Sequence, residues 1–218
     1  MIIKINKENE KNFILYTHLC QYGSVYDLKL KMRSPKEFVK WTEENFKYVQ
    51  YNPRKQNNRE GLSITSLDGD VSGIPDLDSL HEYNKEHNTC YNEESFCVTT
   101  PVYNNENLKV ALSAFEQYLC RTHIIKLNPG GFFPPHRDLV GNFDTFRLIV
   151  PLVNTDIPNC NFVVDGKIQK FSEGKVYFVD TSKLHYLFNS SFSPSYWIVS
   201  NVKTSEDSVN TVLNNIRF

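Results

Sequence analysis

Residues 161–180 read NFVVDGKIQKFSEGKVYFVD, short runs of β-branched and aromatic residues cut by turn signals. Asp165-Gly166 lies between the first two runs, and a two-residue hairpin turn demands positive φ at both central positions, which Asp and Gly tolerate. Glu173-Gly174 then separates this hairpin from a third run. Working outward, runs of the same kind fall at 123–127, 146–153, 161–164, 167–171, 175–180, 184–188 and 196–202, with Pro129-Gly130-Gly131 and Pro194 as further punctuation. Seven or eight short strands at this spacing predict a mainly β fold with flanking helices, a sandwich or jelly-roll barrel.

The N-terminal half has a different texture. Ser34-Pro35-Lys36-Glu37 reads as a helix start, with a capping serine, proline in the first turn and a glutamate completing a capping box. That helix is expected to run through Phe38, Trp41 and Phe46 to about Tyr48. Residues 51–93 are polar and rich in turn formers, yet Leu62, Ile64, Ile74, Leu77 and Leu80 suit a packed covering segment. A second helix is expected from about Asn105, with Leu108, Leu112, Phe115 and Leu119 on one face. A last one is expected from about Ser205, where Val209, Val212, Leu213 and Ile216 fall at i, i+3, i+4 and i+7. The expected organisation is one domain over 1–218: helices and loops at 1–120 packing on and covering a barrel, the barrel core at 121–203, and a C-terminal helix at 204–218.

Composition narrows the function classes. Of the 218 residues, 40% are hydrophobic and 13% aromatic, enough to bury a sizeable core. The 24 Lys+Arg against 25 Asp+Glu give a net charge of −1, without the basic excess of a phosphate-binding surface, so no nucleic-acid partner is expected. No run approaches the roughly 18 apolar residues that span a bilayer, so no membrane partner is expected either. The start MIIKINK is too short and polar for a signal peptide. The five cysteines contain no Cys-x-x-Cys pair, which points to reduced thiols and a cytoplasmic location.

The chemistry-bearing residues cluster in the β-rich half. His136 and Asp138 are two apart, so on an extended segment both side chains leave the same face. An imidazole and a carboxylate aimed into one barrel mouth supply two of the three ligands of a 2-His-1-carboxylate triad. His185 is the sole histidine after Asp138 and is the candidate third ligand. Such a triad leaves positions open for a chelating cosubstrate and O2, which favours Fe(II) over zinc. Alone, His-x-Asp is a weak signal; the competing explanation is a satisfied histidine at a strand end beside an unrelated ion pair. Arg147 stands within the apolar run 145–152, where an unpaired guanidinium is costly. Either Asp138 or another carboxylate satisfies it, or it receives a carboxylate that arrives with a ligand.

Taken as an ordered set, Pro129-Gly130, His136-Arg137-Asp138, Arg147 in Phe-Arg-Leu-Ile-Val-Pro-Leu, Gly174 before Lys-Val-Tyr-Phe-Val-Asp, and His185 in Leu-His-Tyr-Leu-Phe-Asn-Ser resemble the Fe(II)/2-oxoglutarate-dependent oxygenases. Within that superfamily the resemblance is to the aspartyl/asparaginyl β-hydroxylase-like branch, which includes amino-acid and prolyl hydroxylases. It implies a double-stranded β-helix core, cupin-like in form. It also implies iron held by His136, Asp138 and His185, with 2-oxoglutarate and O2 as cosubstrates and Arg147 at a cosubstrate-binding position. The implied reaction is hydroxylation of an unactivated C–H of an amino acid or peptidyl residue, with release of succinate and CO2. One departure stands out: where many relatives carry a second arginine about ten residues after the distal histidine, this chain has Ser195 and Tyr196. Lys126 or Tyr177 is the candidate substitute for the missing group. Arg59, in the covering segment, is a candidate for gripping a substrate carboxylate, against a plain surface ion pair. The main rival function is a cupin-like metal- or ligand-binding protein without oxygenase activity, or a zinc enzyme, which needs no dicarboxylate clamp.

Overall fold

The computed structural model describes residues 7–138 and 143–217. Its first half holds α1 (Lys7–Cys20), β1 (Val25–Lys31), α2 (Pro35–Asn45), β2 (Val49–Gln50), β3 (Arg59–Ser63), β4 (Thr65–Ser66), α3 (Leu80–His87), β5 (Val98–Thr99) and α4 (Glu106–Leu112). Then come β6 (Leu119–Leu127), β7 (Phe132–His136), β8 (Thr145–Val153), β9 (Cys160–Val164), β10 (Lys167–Ile168), β11 (Lys175–Val179), β12 (His185–Asn189), β13 (Ser195–Lys203) and α5 (Glu206–Asn214). The larger sheet runs β1-β11-β8-β13-β6-β3-β2, the smaller β10-β9-β12-β7, and β4 pairs with β5. All these pairings are antiparallel.

From β6 onward the chain alternates between the two main sheets: β6 large, β7 small, β8 large, β9 and β10 small, β11 large, β12 small, β13 large. That winding is a double-stranded β-helix. Side-chain alternation along each strand explains the layers. Ile124, Phe146, Leu148, Val150, Leu152, Val176, Phe178 and Ile198 face outward into a core shared with the helices. Ile125, Ile149, Tyr177, Val179 and Trp197 face inward and meet Phe162, Val164 and Leu187 of the smaller sheet. Strands buried on both faces lose the polar/apolar alternation of a half-solvated sheet, which is why β8 and β13 read as nearly continuous apolar runs.

The Asp165-Gly166 turn forms as expected, with φ of 51° and 73°. The expectation of helices and loops throughout 1–120 needs correction, because β1, β2 and β3 extend the larger sheet. Charged residues conceal β1: Lys29 and Lys31 of this edge strand are exposed while Leu28 is buried. β7 was also hidden, since Pro134 and Pro135 argue against a strand. It lies at the edge of the smaller sheet, the one place where prolines cost no ladder hydrogen bond. Ser34 does precede α2, but its side chain makes no capping hydrogen bond, and the helix stops at Asn45. α4 gives way to a 3-10 segment after Leu112, and Leu119 already belongs to β6. α5 carries a reciprocal cap between Ser205 and Ser208. Among the described residues, no helix is long and apolar enough to cross a membrane.

Candidate metal centre

β7 and β12 are neighbours in the smaller sheet, and their register sets His136 directly opposite His185. The imidazole centroids are 4.2 Å apart. Asp138 follows just beyond the end of β7, with its Oδ1 3.6 Å from His136 Nε2 and its Oδ2 3.8 Å from His185 Nε2. One ligand atom from each of the three lies within 4.8 Å of the others, the single such cluster of His, Cys, Asp and Glu among the described residues.

The outer contacts prepare these groups for a cation. His136 Nδ1 lies 2.6 Å from the Pro134 carbonyl and His185 Nδ1 lies 3.0 Å from the Lys183 carbonyl. A carbonyl only accepts, so each Nδ1 is the donor there, and a neutral ring then turns its Nε2 lone pair to the centre. The Asp138 backbone N–H donates to Thr181 O at 2.9 Å, and Arg137 Nη1 donates to Ser182 O, so the loop after β11 holds the ligand segment. Burial works to raise the Asp138 carboxyl, but the Arg147 guanidinium, then His185 and His136, outweigh it and hold the carboxyl below its ordinary value. Burial lowers His185, which favours the neutral ring that a metal needs. Two imidazole nitrogens and a carboxylate on one side of an ion suit Fe(II), and the donor set fits it.

A cavity of about 660 Å3, counted with the space open to solvent, runs from this cluster into the barrel. Its walls are largely apolar, with Ile125, Ile149, Phe162, Leu187 and Trp197 prominent. A second, wider cavity adjoins it and is lined by Leu80, His81, Tyr91, Glu93 and Glu94, among others. Asp138 and Arg147 line both.

Arg147 lines the barrel cavity and pairs with Asp138, one of the two partners weighed from the sequence, with Nη2 3.2 Å from Oδ2. Lys126 does not line it. It sits on the outward parity of β6, where Nζ pairs with Glu43 at 3.0 Å and Glu60 at 3.3 Å between the rings of Tyr48 and Tyr196. Tyr177 faces inward, but its hydroxyl accepts the Ser172 backbone N–H and its ring packs on Phe171, away from the cavity lining. Ser195 is buried and accepts the Trp197 indole N–H. Arg59 is on β3, 5% exposed, and pairs with no carboxylate among the described residues, so the surface ion pair does not form.

With no carboxylate at matching spacing, His123 reads from the sequence as structural or exposed, and Tyr51 carries no site reading; both line the barrel cavity. For His123 a signal existed, since it shares the inward parity of Ile125 and Leu127. Tyr51 gave none, because its place depends on β2 pairing with β3. Asp68, Asp70, Asp76 and Asp78, close together in the covering segment, form no metal cluster: Asp76 receives the Ser63 hydroxyl, and Asp78 pairs with Arg54 at 3.0 Å.

Comparison with known structures gives distant likenesses. A crystal structure of an oxidoreductase of the 2OG-Fe(II) oxygenase family from Burkholderia pseudomallei is 11% identical over 77% of this chain and 77% of that one, with a TM-score of 0.45. An RmlC-like cupin from Shewanella frigidimarina is 17% identical over 43% of this chain and 74% of that one, with a TM-score of 0.30. An oxalate oxidase bound to the substrate analogue glycolate is 12% identical over 72% of this chain and 56% of that one, with a TM-score of 0.36. No curated protein matches the sequence. The family described as aspartyl/asparaginyl beta-hydroxylase matches residues 77–202, more than half of the chain, and the protein belongs to that family.

Proposed function

We propose that the protein is a non-haem, Fe(II)- and 2-oxoglutarate-dependent dioxygenase acting on an amino acid or peptidyl residue. One atom of O2 enters an unactivated C–H of the substrate as a hydroxyl, and the other enters succinate as 2-oxoglutarate loses CO2. The observation that supports this most is the donor set. Two imidazole Nε2 atoms and one ionised carboxylate converge from two paired strands and the turn after β7, at the mouth of an apolar cavity. Fe(II) held by His136, Asp138 and His185 would supply the O2 chemistry that side chains lack.

The chain's own residues supply the rest. Arg147 can receive a cosubstrate carboxylate bidentately while staying against Asp138, a geometry that lysine would not reproduce. Ile125, Ile149, Phe162 and Leu187 keep the barrel side dry, protecting a reactive centre from water.

Two measurements test the reading. Anaerobic Fe(II) plus 2-oxoglutarate is expected to give a weak visible charge-transfer band in the wild type and none in His136→Ala. A succinate-release screen over free amino acids, then peptides, is expected to find a substrate that accelerates turnover. Neither band nor succinate in the wild type would overturn it.

A further inference from the structure

Arg59 is the least explained charge in the protein. Arg54, Arg121 and Arg147 each hold an acid, Asp78, Glu93 and Asp138 respectively. Arg59 is the most deeply placed of the four, at 5% exposed, yet no hydrogen bond or ion pair from it to another described residue is present, and its buried Nε has no partner. An unpaired buried cation is costly, and burial drives its pKa down. The Phe133 and Tyr51 rings, 3.9 Å and 5.1 Å from its guanidinium carbon, offset part of that cost and no more.

Those same two rings line the barrel cavity, so Arg59 stands immediately behind its wall. Tyr51 packs over Gly61, where a Cβ would meet its ring at 3.3 Å. On its far side the ring of His123 is 5.3 Å away. His123 is 3% exposed, lines the cavity, and its Nδ1 has no partner either. Arg147 is the one lysine or arginine in the cavity lining among the described residues. Two orphaned polar groups about one tyrosine, beside a cavity whose lining guanidinium already pairs with one carboxylate, call for an anion that comes with a ligand.

We propose that Arg59, with Tyr51 and His123, forms a carboxylate-binding subsite of the barrel cavity, separate from the metal triad. The carboxylate belongs either to the far end of 2-oxoglutarate or to the primary substrate. The inference rests on the oxygenase reading, and its test separates the two.

Mn(II)-loaded wild type, Arg59→Met and Arg59→Lys are titrated calorimetrically with 2-oxoglutarate and with 2-oxobutyrate, which keeps the chelating head and lacks the far carboxylate. A wild-type preference for 2-oxoglutarate of tenfold or more that Arg59→Met abolishes and Arg59→Lys partly restores assigns the subsite to the cosubstrate. If that preference survives, free amino acids and their carboxamides are titrated onto the Mn(II)/2-oxoglutarate complex. Loss in Arg59→Met of a preference for the acid over the amide assigns it to the substrate. Both preferences unchanged in Arg59→Met overturns the subsite. Failure of the wild type to bind 2-oxoglutarate at all sinks the oxygenase reading instead. The subsite is then decided by succinate on metal-free protein: binding weakened tenfold in Arg59→Met supports it, and binding equal in both, or none to the wild type, overturns it. Arg59→Met is expected to unfold at or above the wild-type temperature, whereas a purely structural arginine would lower it.

Discussion

His136 and His185 face each other as register partners across β7 and β12, each with Nδ1 spent on a backbone carbonyl two residues before it. The metal centre is thus built by strand pairing, and its two nitrogen donors stand or fall together. Replacing either histidine with alanine is expected to lower Mn(II) affinity more than about 100-fold, beyond the roughly 10–100-fold that follows loss of an outer contact. Metal content after dialysis checks this.

Asp138 has a second duty, as the partner of Arg147. Asp138→Ala leaves that guanidinium without its acid, so the metal-free variant is expected to lose about 2–3 kcal/mol, less than the 3–5 of a fully buried pair because Asp138 is partly exposed. His136→Ala, which strands no charge, is expected to cost less than half as much. Urea unfolding of the two metal-free variants decides the order.

His123 gives a pH dependence of known sign. Burial, with Arg121 and Arg147 nearby, holds its pKa well below 6.5. Above pH 6.5 the ring is neutral in both folded and unfolded chains and contributes no slope. As pH falls below 6.5 the unfolded chain takes the proton and the folded one does not, so stability drops by up to about 1.4 kcal/mol per pH unit. His123→Gln is expected to flatten this loss, leaving the smaller contribution of His185. Thermal unfolding between pH 7 and pH 5 shows whether it does.

Lys126 tests the correction to its sequence reading. Lys126→Met is expected to destabilise the protein by about 1–2 kcal/mol, since Glu43 and Glu60 lose their shared cation. It is expected to leave 2-oxoglutarate affinity within about twofold. A tenfold loss of affinity would return Lys126 to the binding site.

Gly131 tests how tightly β7 is held. A Cβ there would run into the carbonyl oxygens of Asn58 and Asn128, backbone atoms that cannot turn aside. Gly131→Ala is expected to cost about 2 kcal/mol or more by overpacking and to loosen the strand that carries His136. Reduced Mn(II) affinity alongside the lower melting temperature supports this.

The sequence revealed what short-range chemistry encodes. Strands β8, β9, β11, β12 and β13 announce themselves by apolar runs between turn residues, and the triad by an i, i+2 pair followed by one later histidine. Charge masked β1, proline masked β7, and the weak run around Arg59 masked β3. In each, edge position or pairing outweighed local propensity. The error over Lys126 was one of parity: a basic residue one place from Ile125 and Leu127 faces the other side of the sheet. The same parity marks His123 as inward-facing, whereas Tyr51 became visible only once β2 and β3 were set side by side.

Asp138 and Arg147 border the barrel interior on one side and the wider groove beside α3 on the other. The carboxylate–guanidinium pair is therefore a shared border, and a change at Leu80 or Tyr91 reshapes the groove while leaving the barrel's own lining intact.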